Sequence, residues 1–225
     1  MTSRFDGVLF DAGGVLVLPD PTVLGPLLAP LGGSLDPAAH HRAHYAAMRA
    51  VDRAEEEDWG QYHRAYLTSV GVRPDEFDHA LEVFAATFNI HLWRYPNEGS
   101  SAALVALAER GVPIGVVSNA SGQIEATLHR VGMCQVGDGH GAMVSCVVDS
   151  YVVGVSKPDP GIFAFALEHL ELEPGRIAYV GDSIRYDVRG AHAAGLVPLL
   201  LDPYGDDGGD SHERIAALTD LLDMV

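Results

Sequence analysis

The sequence predicts an α/β fold: a doubly wound, mostly parallel sheet with an inserted helical domain. Short apolar runs without polar alternation recur along the chain, and a helical pattern follows each of them. Such runs are typical of parallel strands that are covered on both faces. The stretch from Leu18 to Tyr95 breaks this alternation, because it contains helical patterns and no convincing strand. Together these observations indicate a sheet domain interrupted after its first strand.

The predicted elements follow in chain order. The apolar runs predict strands at 8–10, 113–117, 144–148, 177–180 and 197–201. The amphipathic patterns of the same domain predict helices at about 121–131, 160–170, 185–194 and 211–224. The insert contains helical patterns at about 36–57, 59–70 and 75–92, between Pro- and Gly-rich segments at 19–33 and 96–99. We therefore expect a core domain of residues 1–18 and 96–225 and a helical domain of residues 19–95.

Composition narrows the class of protein. Hydrophobic residues make up 48% and charged residues 20% of the 225 positions, a globular balance that argues against a disordered chain. Asp and Glu number 31 against 14 Lys and Arg, so the net charge of −17 argues against nucleic-acid binding. Two cysteines, Cys134 and Cys146, are too few for a disulfide framework. With no signal peptide and no apolar run long enough to span a membrane, we expect a soluble cytoplasmic protein without a membrane partner. The oligomeric state is not predicted.

Polar residues stand where two predicted strands end. Asp11 follows the strand at 8–10 and precedes a turn with Gly13 and Gly14, and Ser118-Asn119 follows the strand at 113–117. Ligands of open parallel sheets bind at the carboxyl ends of the strands. Asp11 is therefore placed to face a substrate, and the hydroxyl and backbone N–H groups at Ser118 and Asn119 are placed to hold a phosphate oxygen. Taken singly, each is also explained as an ordinary turn or helix cap.

The chain contains one lysine, Lys157, and 13 arginines. A lysine kept immediately before Pro158, in a loop that enters a helix, indicates a need for a compact point charge. Asp182 follows the strand at 177–180, and Asp187 lies five residues later. With Asp11 on a neighbouring strand, these carboxylates would form a hard-oxygen site suited to Mg²⁺, and without a cation they would repel one another.

Four segments together resemble a known family. FDAGGVL at 10–16, VVSN at 116–119, SKPDPGIF at 156–163 and VGDSIRYDVRGAHAAG at 180–195 resemble motifs one to four of the haloacid dehalogenase superfamily. The resemblance covers residues 1–18 and 96–203. The insert resembles the helical cap domain of the phosphatase-type members of that family.

The resemblance implies catalytic roles for four residues. Asp11 would be the nucleophile that forms an aspartyl-phosphate. Ser118 and the backbone N–H of Asn119 would hold the transferring phosphoryl oxygens, and Lys157 would neutralise their charge.

It also implies the metal ligands. Asp11, Asp182 and the backbone carbonyl of Gly13 would bind Mg²⁺ together with waters. Asp187 would orient those waters or Lys157 without binding the ion directly.

The sequence departs from the family pattern at Gly13. Most phosphatases of this family carry a second Asp at that position, which protonates the leaving group and later activates water. Three interpretations stay open: a cap side chain supplies the proton, the substrate has a good leaving group such as a sugar 1-phosphate or an acyl phosphate, or the protein is a poor or non-catalytic relative. Among the histidines of the insert, the candidates for this proton donor are His40, His41, His44, His63 and His91. His40 and His44 share a helix face by their spacing, but a solvated helix surface is the simpler explanation for them.

We therefore predict a Mg²⁺-dependent phosphohydrolase, slow or specialised, that acts on a small phosphorylated metabolite. The alternative is a catalytically weak or inactive protein that binds a phosphorylated ligand. Dehalogenation is disfavoured because dehalogenases of the family usually have a neutral residue at the position of Asp182, while a phosphomutase begins with the same phosphoenzyme. Insert residues such as Tyr45, Arg49, Arg53 and Tyr66 could face a substrate, but the sequence does not determine the rotation of their helices.

Overall fold

The computed structural model describes residues 3–206 and 212–225. They divide into two compact units: one runs to Val17 and resumes at Pro96, and the other spans Leu18–Tyr95. The strands are β1 Gly7–Phe10, β2 Val17–Pro19, β3 Trp93–Pro96, β4 Ile114–Ser118, β5 Cys134–Val136, β6 Ala142–Val144, β7 Cys146–Asp149, β8 Ile177–Gly181, β9 Val197–Leu201 and β10 Glu213–Ile215. The α-helices are α1 Pro21–Leu28, α2 Pro37–Arg53, α3 Trp59–Ser69, α4 Phe77–Thr87, α5 Ser100–Glu109, α6 Ile124–Arg130, α7 Ser150–Val153, α8 Gly161–Leu170 and α9 Arg189–Ala193.

The first unit is built on a six-stranded sheet in the order β10-β9-β8-β1-β4-β7, and its paired strands run parallel. Every residue of β1, β4 and β8 is buried, which explains why these strands are apolar runs without alternation. The predicted α/β fold is confirmed. Because β1 lies between β4 and β8, the carboxyl ends of these three strands are neighbours.

One side of the sheet packs on α8. Leu9, Val117 and Tyr179 from three adjacent strands form a cluster with Ile162 and Phe163 of the helix. The rings of Phe163 and Tyr179 meet edge to face at 4.8 Å between centroids. This packing holds the ends of β1, β4 and β8 in a fixed relation.

Two predictions for this unit need correction. The strand predicted at 144–148 is two strands, because Ser145 separates β6, which pairs with β5, from β7, which pairs with β4. The helix predicted at 211–224 is wrong: within the described residues this segment forms β10 and a 3₁₀ turn over Leu218–Asp223, while residue 211 lies outside them. The open edge of β9 offers backbone hydrogen bonds to β10, and this pairing prevails over the local helical pattern.

The second unit is helical. Asp20, Asp36 and Asp58 each accept a hydrogen bond from a backbone N–H of the following turn and so begin α1, α2 and α3. The sequence predicts no helix in the Pro- and Gly-rich segment 19–33, yet α1 lies there, and Pro21 occupies its first position, where a missing N–H costs nothing. The expected absence of strands between Leu18 and Tyr95 is also wrong at the margins, because β2 and β3 pair where the chain enters and leaves this unit.

Across the described ranges, no helix combines the length and apolar character that crossing a membrane requires.

Candidate active site

The candidate residues meet at the carboxyl edge of the sheet. Asp11 follows β1, Ser118 is the last residue of β4, and Asp182 follows β8. The Asp11 N–H donates to the carbonyl of Val180 at 2.8 Å, which continues the β1–β8 ladder to the carboxyl edge of the sheet. Strand order alone therefore brings three chain segments to one place.

Three buried carboxylates converge there. Asp11, Asp182 and Asp187 each present an oxygen within 4.8 Å of the other two. Burial raises the pKa of Asp11 to about 7; Lys157 opposes this rise, and the negative charges of Asp187 and Asp182 add to it. A hard-oxygen cluster of this kind is suited to a small divalent cation such as Mg²⁺.

Lys157 is the ammonium of this cluster. Its Nζ lies 3.0 Å from Asp11 Oδ1, 2.7 Å from Asp187 Oδ1 and 2.8 Å from the Tyr179 hydroxyl, and the residue is 3% exposed. Burial opposes the charged form, but Asp11 and Asp187 outweigh that effect and the pKa of Lys157 is raised. The lysine therefore carries a positive charge at the edge of β1.

The Asp187 carboxylate is occupied by protein donors. Its Oδ1 lies within hydrogen-bond distance of Lys157 and Tyr179, and its Oδ2 accepts the Ser183 N–H at 3.0 Å. A Cβ on Gly181 would lie 2.2 Å from the Cβ and Cγ of Asp187, so only glycine permits this side chain to fold back over the end of β8. The geometry suits a residue that holds Lys157 more than a direct metal ligand.

Asn119 clamps the loop that carries Lys157. Its Oδ1 accepts the backbone N–H of Lys157 at 2.8 Å, and its Nδ2 donates to the backbone carbonyl of Lys157 at 2.9 Å. Ser118, which is buried, precedes it at the end of β4. The side chain of Asn119 thus joins the second and third predicted motifs, a role that sequence reasoning did not assign.

The turn after Asp11 is tight. The N–H groups of Leu16 and Val17 both donate to the Ala12 carbonyl at 2.9 Å, and Gly14 adopts a left-handed φ of 77°. Gly13 is not among the positive-φ residues, so its backbone does not itself demand glycine. The Ala12 N–H donates to Asp11 Oδ1 at 2.7 Å. The turn therefore orients the Asp11 carboxylate from the backbone.

Tyr179 is the main residue that sequence reasoning missed. Its hydroxyl is buried and lies within hydrogen-bond distance of Lys157, Asp187 and the Val117 carbonyl. Burial, with the carboxylates of Asp187 and Asp11, raises the pKa of Tyr179 well above its usual range, so the phenol is neutral. The available signal was a tyrosine inside a fully buried strand, because a buried phenol needs a polar partner.

His40 and His44 do not lie on a solvated helix surface, which corrects that interpretation of the two residues. Both are buried. His40 Nε2 donates to the Ser34 carbonyl at 2.8 Å, so its Nδ1 accepts from the Tyr66 hydroxyl at 2.8 Å. His44 Nδ1 lies 2.9 Å from the Tyr62 hydroxyl. Burial lowers the pKa of His40, which favours the neutral ring.

The insert residues named as substrate contacts also differ in exposure. Tyr45, Arg49 and Tyr66 are buried and Arg53 is exposed. Arg49 Nη2 lies 3.3 Å from Asp52 Oδ2, so Arg49 forms an ion pair within its own helix.

A family model described as haloacid dehalogenase-like hydrolase matches residues 5–195. The chain is 34% identical over 131 residues to haloacid dehalogenase-like hydrolase domain-containing protein 3 of Bos taurus, covering 56% of this chain and 49% of that protein. It is 33% identical over 156 residues to a phosphoglycolate phosphatase of Rhodospirillum rubrum, covering 66% and 59%. The chain therefore spans about half the length of the curated relatives it matches first.

Among solved structures, a HAD phosphatase from Thermococcus onnurineus superposes with a TM-score of 0.58 at 22% identity, covering 96% of this chain and 95% of that one. A 2-haloacid dehalogenase from Pseudomonas syringae superposes with a TM-score of 0.55, also at 22% identity, covering 96% of each chain. At such identities these likenesses establish the fold alone, and they do not separate phosphatase from dehalogenase.

Proposed function

The chain belongs to the haloacid dehalogenase-like hydrolases, and we propose that it is a Mg²⁺-dependent phosphohydrolase of a small phosphorylated metabolite. The observation that carries the proposal is the meeting of three buried carboxylates with the single lysine of the chain at the end of β1. Curated relatives named as phosphatases support the same reaction class.

The donor set fits Mg²⁺. Asp11, Asp182 and Asp187 carry three negative charges when ionised, and Lys157 supplies one positive charge, which leaves an excess of two that a divalent ion would balance. Asp11, Asp182 and the Gly13 carbonyl would hold the ion, because both Asp187 oxygens already accept protein hydrogen bonds. Bound there, the ion would polarise the phosphoryl group and let an anionic substrate approach the carboxylates.

The chemistry would begin at Asp11. A carboxylate oxygen of Asp11 attacks phosphorus, the bond from phosphorus to the substrate oxygen breaks, and its electron pair leaves with that oxygen. Ser118 and the backbone N–H of Asn119 hold the transferring oxygens, while Lys157 neutralises them. Water then attacks the aspartyl-phosphate, which releases inorganic phosphate and restores the Asp11 carboxylate.

Gly13 limits the range of substrates. Position 13 offers no side chain to protonate the leaving oxygen, and the loss of a general acid typically costs about 10²–10⁴ in rate. We therefore expect a slow enzyme or a substrate whose leaving group needs little protonation, such as a sugar 1-phosphate or an acyl phosphate. Gly13→Asp tests this: if the turn of residues 11–17 stays intact in a crystal structure, hydrolysis of poor leaving groups should rise, and no rise would mean that another group already donates the proton.

Gly13 also favours a second candidate, a protein that binds phosphorylated ligands without turnover. Dehalogenation is less well supported, because in a metal-free site the single charge of Lys157 would leave the three ionised carboxylates with an excess of two negative charges. The two main candidates predict different outcomes with the same compounds.

The test is a panel of phosphorylated metabolites assayed for phosphate release with and without Mg²⁺. Mg²⁺-dependent release from any compound supports the enzyme, and ligand binding without release supports the binding protein. Asp11→Asn should abolish release, since the carboxylate is the reactant. Asp149→Asn is the matched control, because Asp149 is also buried, as the last residue of β7, but accepts backbone N–H groups of Gly122 and Tyr151. Full activity in Asp11→Asn would overturn the nucleophile assignment.

A further inference from the structure

The hydroxyl of Tyr179 is the point where three parts of the candidate site meet. It lies 2.8 Å from Lys157 Nζ, 2.9 Å from Asp187 Oδ1 and 3.1 Å from the carbonyl of Val117. Val117 belongs to the strand that ends in Ser118, and Asp187 belongs to the π-helical turn Ile184–Val188. One buried oxygen atom therefore touches the segments of the second, third and fourth motifs.

The Tyr179 hydroxyl supplies the third acceptor for the Lys157 ammonium. A lysine ammonium has three N–H donors, and Lys157 has three acceptors: Asp11 Oδ1, Asp187 Oδ1 and the Tyr179 hydroxyl. The tyrosine has one proton, which it donates to Asp187 or to the Val117 carbonyl while its oxygen accepts from Lys157. Every N–H direction of the ammonium is thus set by a buried group.

We propose that Tyr179 is a positioning residue, whose hydroxyl holds the Lys157 ammonium against Asp11 and at a set distance from the end of β4. This inference rests on the proposed phosphoryl transfer at the same site. The N–H of Lys157 that lies against Asp11 Oδ1 would then also face a phosphoryl group transferring to Asp11, without reorientation of the ammonium. Electrostatic stabilisation of a transition state requires such a fixed orientation. Without the hydroxyl, one N–H of Lys157 loses its acceptor and the ammonium rotates.

Tyr179→Phe separates this role from packing. The substitution keeps the ring that meets Phe163 edge to face and removes only the hydroxyl. A misplaced catalytic group costs up to about 10²-fold in rate, so we expect kcat to fall roughly tenfold to a hundredfold. KM should change less than about threefold, because the missing interaction is realised in the transition state.

The matched control is Tyr62→Phe. Tyr62 is also fully buried, and its hydroxyl pairs with His44 in the helical unit. Both variants lose one buried phenol hydroxyl and keep the aromatic ring, so the control shows what the loss of a buried hydroxyl outside the site does to the kinetics. A loss of kcat in Tyr179→Phe alone supports positioning, whereas equal kinetics in the two variants would overturn it.

A second measurement does not depend on turnover. Since Lys157 is the only lysine, incorporation of ¹⁵Nζ-lysine gives a single side-chain ammonium signal. In the wild type that signal should exchange its protons far more slowly than an exposed lysine, and in Tyr179→Phe it should shift or broaden while in Tyr62→Phe it stays unchanged. Fast exchange in the wild type would overturn the proposal even if Tyr179→Phe failed to fold. A protected signal that changes only in Tyr179→Phe, in a protein that hydrolyses nothing on the panel, would support the positioning role while the proposed function fails.

Discussion

The edge of the sheet and the interior of the helical unit both bury polar side chains, but they do so in opposite ways. In the helical unit, His40 pairs with Tyr66 and with the Ser34 carbonyl, so that neutral groups satisfy one another. At the sheet edge, three carboxylates converge, and one ammonium contacts two of them, Asp11 and Asp187. Buried neutral pairs contribute to stability, whereas an excess of buried charge of one sign disfavours folding unless something else binds. The contrast favours the cluster at the sheet edge, with its excess of negative charge, as the one that binds a ligand.

The largest expected effect on stability comes from removing the Lys157 ammonium. Lys157→Met should lower the free energy of unfolding in Mg²⁺-free buffer by about 3–5 kcal/mol, because it leaves buried carboxylates without a partner. Tyr62→Phe, which breaks a neutral pair, should lower it by only about 1–3 kcal/mol. Urea unfolding of both variants measures the difference. Equal losses would show that the two regions bury polar groups in the same manner.

The next effect concerns the excess negative charge. If Mg²⁺ binds the carboxylates, Mg²⁺ at 100 times its Kd should stabilise the wild type by about 2.7 kcal/mol. Asp182→Asn should lose most of this response, and Asp149→Asn should keep it, because Asp149 caps backbone N–H groups instead. Thermal unfolding with and without Mg²⁺ checks the prediction. An undiminished response in Asp182→Asn would exclude Asp182 as a ligand.

A smaller effect tests the geometry that holds Lys157. Gly181→Ala places a methyl group 2.2 Å from Asp187 and should cost about 1–3 kcal/mol through overpacking. Displacement of Asp187 should also release Lys157 and lower phosphate release at least about tenfold. Gly175→Ala is the matched control in the same unit, since nothing lies within 4 Å of its added Cβ. Unchanged kinetics in Gly181→Ala would separate Asp187 from the action of Lys157.

The smallest expected effect is the pH dependence of the stability that His40 contributes to the helical unit. Burial lowers the pKa of His40, so its contribution to stability is present above the usual histidine pKa and declines as pH falls and the ring must be protonated. His40→Gln should be less stable than the wild type at pH 7, and the gap should narrow towards pH 5. Unfolding curves at both pH values measure the gap. A gap that widened on acidification would mean that His40 is charged in the folded protein.

Much of this arrangement follows from local pattern. Apolar runs predicted the fully buried strands β1, β4 and β8, and also β9, whose last three residues are buried, because a strand covered on both faces leaves a short continuous signal. The placement of Asp11 and Asp182 at neighbouring strand ends follows from parallel topology. The prediction for segment 213–215 was wrong because its strand forms through pairing with β9, and a local sequence pattern does not contain this partner.

The side-chain contacts at the site also depend on partners that a local pattern does not contain. Lys157 is 22 residues from Tyr179 and 38 from Asn119, yet both hold it by hydrogen bonds. Hydrogen bonds over such separations depend on the direction and rotamer of each side chain, which the packing of the whole unit determines. The amino-acid order thus determined which charged groups reach the sheet edge. Only the folded chain decided that Asp187 and Tyr179 hold Lys157, and that His40 lies in the interior, since each of those contacts is made between elements that the order of residues does not place side by side.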